Sequence, residues 1–148
     1  MMTKKIILLV EDNPSDADLT RRALSKGHIS NDLVVAEDGQ DALDYLRGEG
    51  VYFGRAVSET PSVILLDLKL PKVSGLDVLR VVRADARLRR IPVVILTSSK
   101  EEEDVSAGYD LSVNSYVRKP VDFKEFQAAI ANLGLYWLIL NEPNPPVK

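Results

Sequence analysis

The segment Val63 to Pro71, VILLDLKLP, constrains the fold more than any other in the chain. Four apolar residues run directly into Asp67, and Pro71 closes the segment. An uninterrupted apolar run this short suits a strand buried on both faces, as in the middle of a parallel sheet. A carboxylate at the end of such a strand is costly unless its charge is used there. The pattern recurs. IILLV at 6–10 runs into Glu11-Asp12, and VVILT at 93–97 ends on Thr97. Leu33 to Ala36 reads as a further short strand, and Ser115 to Arg118 as a fifth, closed by Lys119-Pro120.

Helix signals lie between these runs. Asn13 can cap a helix whose first residue is Pro14, and Asp16 in its first turn suits the helix dipole. Leu19, Ala23 and Leu24 give that helix a buried face. Asp38 can cap the next helix, with Ala42, Leu43 and Leu46 inward. Ser74-Gly75-Leu76-Asp77 is a capping signature for a helix to about Arg83, with Leu76, Leu79 and Val81 or Val82 inward. After Ser98-Ser99-Lys100, the polar EEEDVSAGYDL has few apolar anchors, and its Gly108 costs ~1 kcal/mol against Ala in a helix. A weak, movable helix is expected there. Asp122 caps a last helix carrying Phe123, Phe126, Ile130 and Leu133 at helical spacing. Arg47 to Ser62 has no period and reads as a long surface loop.

Strand and helix alternate throughout. This predicts an α/β fold: a five-stranded parallel sheet, doubly wound, with helices on both faces. Right-handed crossovers leave few topologies. In such sheets ligands bind beyond the carboxyl ends of the strands, where the strand order reverses. The expected division is one domain over residues 1–138 and a proline-rich tail over 139–148.

Composition removes several function classes. At 148 residues the chain can bury a real core. Its net charge of −3 is mild and implies no strong electrostatic pull toward nucleic acid. It contains no cysteine, so disulfides and thiolate metal sites are excluded. The N-terminal apolar run of residues 6–10 is too short for a membrane span or a signal-peptide core. A cytoplasmic protein without membrane or nucleic-acid partners is expected.

Parallel strands bring Glu11, Asp12, Asp67, Thr97 and Lys119 to one edge of the sheet. Three carboxylates there repel: two unit charges 4 Å apart cost on the order of 4 kcal/mol at an effective dielectric near 20. A divalent cation relieves this. Oxygen ligands alone favour magnesium over manganese or calcium. Lys119 adds a mobile cation and Thr97 a hydroxyl. The set describes a site for a phosphoryl group on Asp67, with metal and lysine neutralising its oxygens.

The acidic pair in LLVEDN, the aspartate of LLDLKLP followed by Ser-Gly, Thr97 in VVILTSS and the lysine of YVRKP occur in this order, each at a strand end. In these motifs the chain resembles the receiver domains of two-component response regulators, the CheY-like family, over residues 4 to 135. The resemblance implies a flavodoxin-like strand order of 2-1-3-4-5. It implies that Asp67 accepts a phosphoryl group from a phosphohistidine of a sensor histidine kinase. Mg²⁺ would be held by Glu11, Asp12, Asp67 and the backbone carbonyl of Lys69. Thr97 and Lys119 would contact the phosphoryl oxygens, and Tyr116 would swing inward as Thr97 moves. Lys69 and Ser99 would tune hydrolysis of the aspartyl phosphate, and Lys119-Pro120 would be a cis peptide. The long loop and the LYWLIL cluster at 135–140 resemble stand-alone regulators paired with bacterial phytochromes. This implies a bacteriophytochrome as the kinase and no DNA-binding output domain. It also implies a homodimer through the fourth and fifth helices, the fifth strand and the 135–140 cluster.

Two other classes compete. A phosphohydrolase with an aspartyl nucleophile generally needs a second acid two residues later, where this chain has Lys69. A phosphate-free scaffold would keep the fold without the site. The expected function is therefore a phosphoacceptor switch, with at most slow autodephosphorylation and no turnover of its own.

Overall fold

The computed structural model describes residues 5–26, 32–56, 59–98, 115–135 and 139. Its strands are β1 (Ile6–Val10), β2 (Asp32–Ala36), β3 (Val63–Asp67), β4 (Val93–Thr97) and β5 (Ser115–Arg118). They form one parallel sheet in the order β2-β1-β3-β4-β5. The helices are α1 (Pro14–Lys26), α2 (Gly39–Arg47), α3 (Gly75–Ala84) and a C-terminal helix (Phe123–Asn132).

Alternation along the strands sorts the core into two layers. Leu8, Val10, Ile64, Leu66, Val93 and Ile95 pack with α2 and α3. Ile7, Leu9, Val63, Leu65, Val94, Leu96 and Val117 pack with α1 and the C-terminal helix. The all-apolar strand runs follow from this, because both faces of the sheet are covered. The doubly wound α/β expectation is met.

The predicted caps form. Asn13 Oδ1 accepts from the amides of Ser15 and Asp16 at 2.8 and 3.1 Å. Asp38, Ser74 and Asp122 accept from the amides of Asp41, Asp77 and Lys124. Gly75 is required for steric reasons: a Cβ there would lie 2.3 Å from the carbonyl oxygen of Asp67. The start of α3 thus lies directly on the backbone of the aspartate strand end. The Lys119–Pro120 peptide is cis, as expected.

Three expectations are revised. The buried face of α1 is Ala17, Thr20 and Leu24, and Leu19 is 43% exposed. The inward stripe follows i, i+3, i+7 from Ala17, and residue 19 falls outside it. In α3, Val78 joins Leu79 and Val82 inside, while Leu76 is only partly buried.

The third is the loop after α2. It holds a 3₁₀ turn (Gly50–Tyr52) and a framework built on Arg55. The Arg55 guanidinium lies 4.1 Å from the centre of the Tyr45 ring. It donates to the carbonyls of Tyr45, Ala56 and Glu59, at 2.7, 3.2 and 3.0 Å. Tyr45 and Tyr52 meet edge to face at 5.1 Å. Burial and a hydrogen bond to Asp41 push the Tyr52 hydroxyl up to about 12.

Ile139 is 1% exposed and packs in the layer of α1 and the C-terminal helix, with Leu135 beside it. These two residues of the LYWLIL cluster cover their own domain. The other cluster residues, the rest of the tail, the weak helix after Lys100, and Ser99 lie outside the described residues. Among the described residues no helix is long and apolar enough to cross a membrane.

Candidate functional site

The strand order reverses at β1, which lies between β2 and β3. Register then decides which strand ends meet. Val10 pairs with Leu66, so the next residues, Glu11 and Asp67, lie level at the carboxyl edge. Asp67 pairs with Leu96 and Thr97 with Arg118, so Lys119 stands one residue beyond the last pair. The Lys119 amide donates to the Thr97 carbonyl at 2.8 Å, extending β5 by one more bond. Strand alternation points residues 11, 67 and 119 toward the α1 layer. Thr97 and Tyr116 belong to the other face, with Ile95.

On that α1 side the charges converge. The Lys119 ammonium donates to Asp67 Oδ2 at 2.9 Å, to Glu11 Oε2 at 3.1 Å and to Asp16 Oδ2 at 3.1 Å. The Glu11 side chain is fully buried, those of Asp67 and Lys119 nearly so, and that of Asp16 about a third exposed. Burial pushes the Glu11 carboxyl up to about 7; the hydrogen bond from Lys119 opposes this and the Asp67 charge adds to it. Burial alone would lower the Lys119 ammonium, but hydrogen bonds to Glu11 and Asp67 outweigh it and hold the group above its usual range.

The donor set fits a divalent cation. Glu11, Asp12 and Asp67 each offer a carboxylate oxygen, all within 4.8 Å of one another. Glu11 Oε1 is buried and, although 2.9 Å from the Lys119 ammonium, has no hydrogen-bond donor aligned on it. A buried oxygen with no donor aligned on it keeps a lone pair to offer a metal ion. The ligands are hard oxygens only, which suits Mg²⁺ or Mn²⁺.

The remaining predicted residues fall as follows. Thr97 is fully buried at the end of β4. The Lys69 amide donates to Asp67 Oδ1 at 3.1 Å, folding the chain after β3 back over the carboxylate. Tyr116 is half-buried and packs against the α2–α3 layer. The sequence does not predict the contact of Asp16 with Lys119, because an acid in the first turn of α1 suits the helix dipole with or without a partner. The available signal was its spacing, one helical turn after Asp12, on the helix that leaves the acidic strand end.

Comparison with known proteins agrees with this fold. The model of the response regulator receiver domain matches residues 7–131. Response regulator Rcp1 of Synechocystis sp. is 40% identical over 134 residues, covering 90% of this chain and 89% of that protein. The solved bacteriophytochrome response regulator RtBRR is 57% identical, with a TM-score of 0.87, over 96% of this chain and 85% of that one. A structure of the Mn²⁺-bound form of response regulator Rcp1 is 37% identical, with a TM-score of 0.72, over 97% and 99%. The chain belongs to the response regulator receiver domains, with phytochrome-associated regulators among its close relatives.

Proposed function

We propose that the chain is a phosphoryl-accepting switch of a two-component system, with Asp67 the acceptor and a sensor histidine kinase the donor. The observation that carries this is the buried Asp67 carboxylate held at 2.9 Å by the ammonium of Lys119, with Glu11 and Asp12 alongside. An Asp67 oxygen attacks phosphorus in line with the P–N bond of the phosphohistidine. That bond breaks, the imidazole keeps the electron pair and takes up a proton, and an acyl phosphate forms on Asp67. Lys119 neutralises the transferred oxygens and Thr97 donates to one of them. Glu11, Asp12, Asp67 and the Lys69 carbonyl would hold Mg²⁺, which when bound supplies positive charge between carboxylates and phosphoryl.

Movement of Thr97 toward the phosphoryl opens space on the α2–α3 face, and Tyr116 shares that face. The switch then acts on the surface of the fourth and fifth helices and β5, changing dimerisation or the binding of a partner. Lys69 and Ser99, each two residues past a site residue, set the rate of hydrolysis. The likeness to bacteriophytochrome regulators supports a bacteriophytochrome as the kinase, and the setting is cytoplasmic. The absence of an acid at position 69 speaks against a turning-over phosphohydrolase.

The test is incubation with acetyl phosphate and Mg²⁺, read by intact mass, with Asp67→Asn alongside and light scattering on the beryllofluoride form. A gain of one phosphoryl mass in the parent only is expected, with a change in size if dimerisation is the output. Equal gain in both proteins overturns the assignment.

A further inference from the structure

Lys119 has three ammonium protons, and all three are committed: to Glu11, to Asp67 and to Asp16. A lysine that must bond a phosphoryl oxygen has to withdraw from one of these acceptors or share a proton. Glu11 is fully buried, and in the metal-free protein its release would strand an anion in the interior. Asp16 sits on the first turn of α1 with its side chain 32% exposed, where water can take over its solvation. Asp16 is therefore the partner that gives way at least cost, and its charge stays beside the phosphoryl site whether it holds Lys119 or not.

We propose that Asp16 is a positioning residue that competes with the phosphoryl group on Asp67 for Lys119, and so lowers the affinity of the site for a phosphoryl group. This rests on the reading of Asp67 as acceptor. The bland alternative is an acid that only complements the positive end of α1. Asp18, two residues on, is a matched control. It is on the same helix, carries the same charge, and pairs with Arg22 at 2.9 Å away from Lys119.

The experiment compares the parent protein with Asp16→Asn, Asp16→Glu and Asp18→Asn. Beryllofluoride affinity is measured by calorimetry at saturating Mg²⁺. The ¹⁵N resonance of the Lys119 ammonium is recorded in metal-free protein. Partly exposed ion pairs contribute up to about 1 kcal/mol, so Asp16→Asn should bind the mimic roughly two- to fivefold more tightly. Asp16→Glu should return the affinity toward the parent value, and Asp18→Asn should leave it unchanged. The Lys119 resonance should move in Asp16→Asn and stay in place in Asp18→Asn. Unchanged or weaker binding in Asp16→Asn, or an equal gain in Asp18→Asn, overturns the proposal. If the parent protein binds no mimic, the acceptor reading fails; the resonance still reports whether Asp16 holds Lys119.

Discussion

Two cations with several partners each sit at opposite places in this molecule. Arg55 pins the loop after α2, and Lys119 stands at the carboxyl edge of the sheet. Arg55 faces neutral acceptors, the carbonyls of Tyr45, Ala56 and Glu59, and the face of Tyr45. Its planar fork matches several carbonyls at once, and among the described residues no carboxylate pairs with it. Lys119 faces three carboxylates, with Asp12 close by, so one ammonium meets four carboxyl groups. The first arrangement is closed and structural. The second carries a surplus of carboxylates that a divalent cation would offset. The difference shows how a functional site can be told from a structural clamp: by the sign and surplus of the charge, since bonds are plentiful in both.

The largest effect expected from this contrast is at Lys119. Lys119→Ala leaves the buried Glu11 and Asp67 without their cation and should cost about 3 kcal/mol in metal-free protein. Thermal melting should show Mg²⁺ recovering much of that loss, because the ion supplies the missing charge. Arg55→Ala should cost about 2 kcal/mol through lost carbonyl hydrogen bonds and ring stacking. That loss should be the same with and without Mg²⁺. A Mg²⁺-sensitive Arg55→Ala, or an insensitive Lys119→Ala, breaks the contrast.

Next in size is a pH effect on metal binding. With Glu11 pushed up to about 7, the ion must displace a proton below that pH. Apparent Mg²⁺ affinity should fall by up to about tenfold per pH unit below 7 and level off above it. Calorimetry in buffers of different ionisation enthalpy would count the proton released. The same shift has a sign for stability. The folded pKa lies above the ordinary value of 4.5, so the contribution of Glu11 is whole below 4.5. It is lost as pH rises through about 7, so metal-free melting should decline across that window. A metal affinity independent of pH between 6 and 8 would mean that Glu11 is already ionised.

The smallest effect is expected at the tip of the Arg55 loop. Val51 and Phe53 are 87% and 88% exposed. Phe53→Ser should change stability by no more than about 0.5 kcal/mol, since the loop is held by Arg55 and Tyr52 rather than by its tip. A larger loss on chemical denaturation would make the tip part of the clamp.

Much of this was legible in the chain. The four strand-end groups Glu11, Asp67, Thr97 and Lys119 stand out because short apolar runs stop abruptly on polar residues, and burial makes such stops costly. The caps at Asn13, Asp38, Ser74 and Asp122 could be read because a cap is satisfied within three residues of itself. Leu19 was misread because three apolar residues on a short helix fit more than one face. Tyr45 and Arg55 went unnoticed because their partners lie up to ten residues apart in an aperiodic stretch.

The sequence by itself determined the alternation of strand and helix, and with it the parallel sheet and the collection of acids at one edge. Period and local hydrogen bonding act over a few residues, and those are written in order along the chain. Only the tertiary structure decided that Val10 stands level with Leu66, that Lys119 reaches Glu11 and Asp67 across 108 and 52 residues, and that Asp16 takes its third proton. Those pairings depend on strand register and on how α1 packs against the sheet, and both are set by the whole core at once.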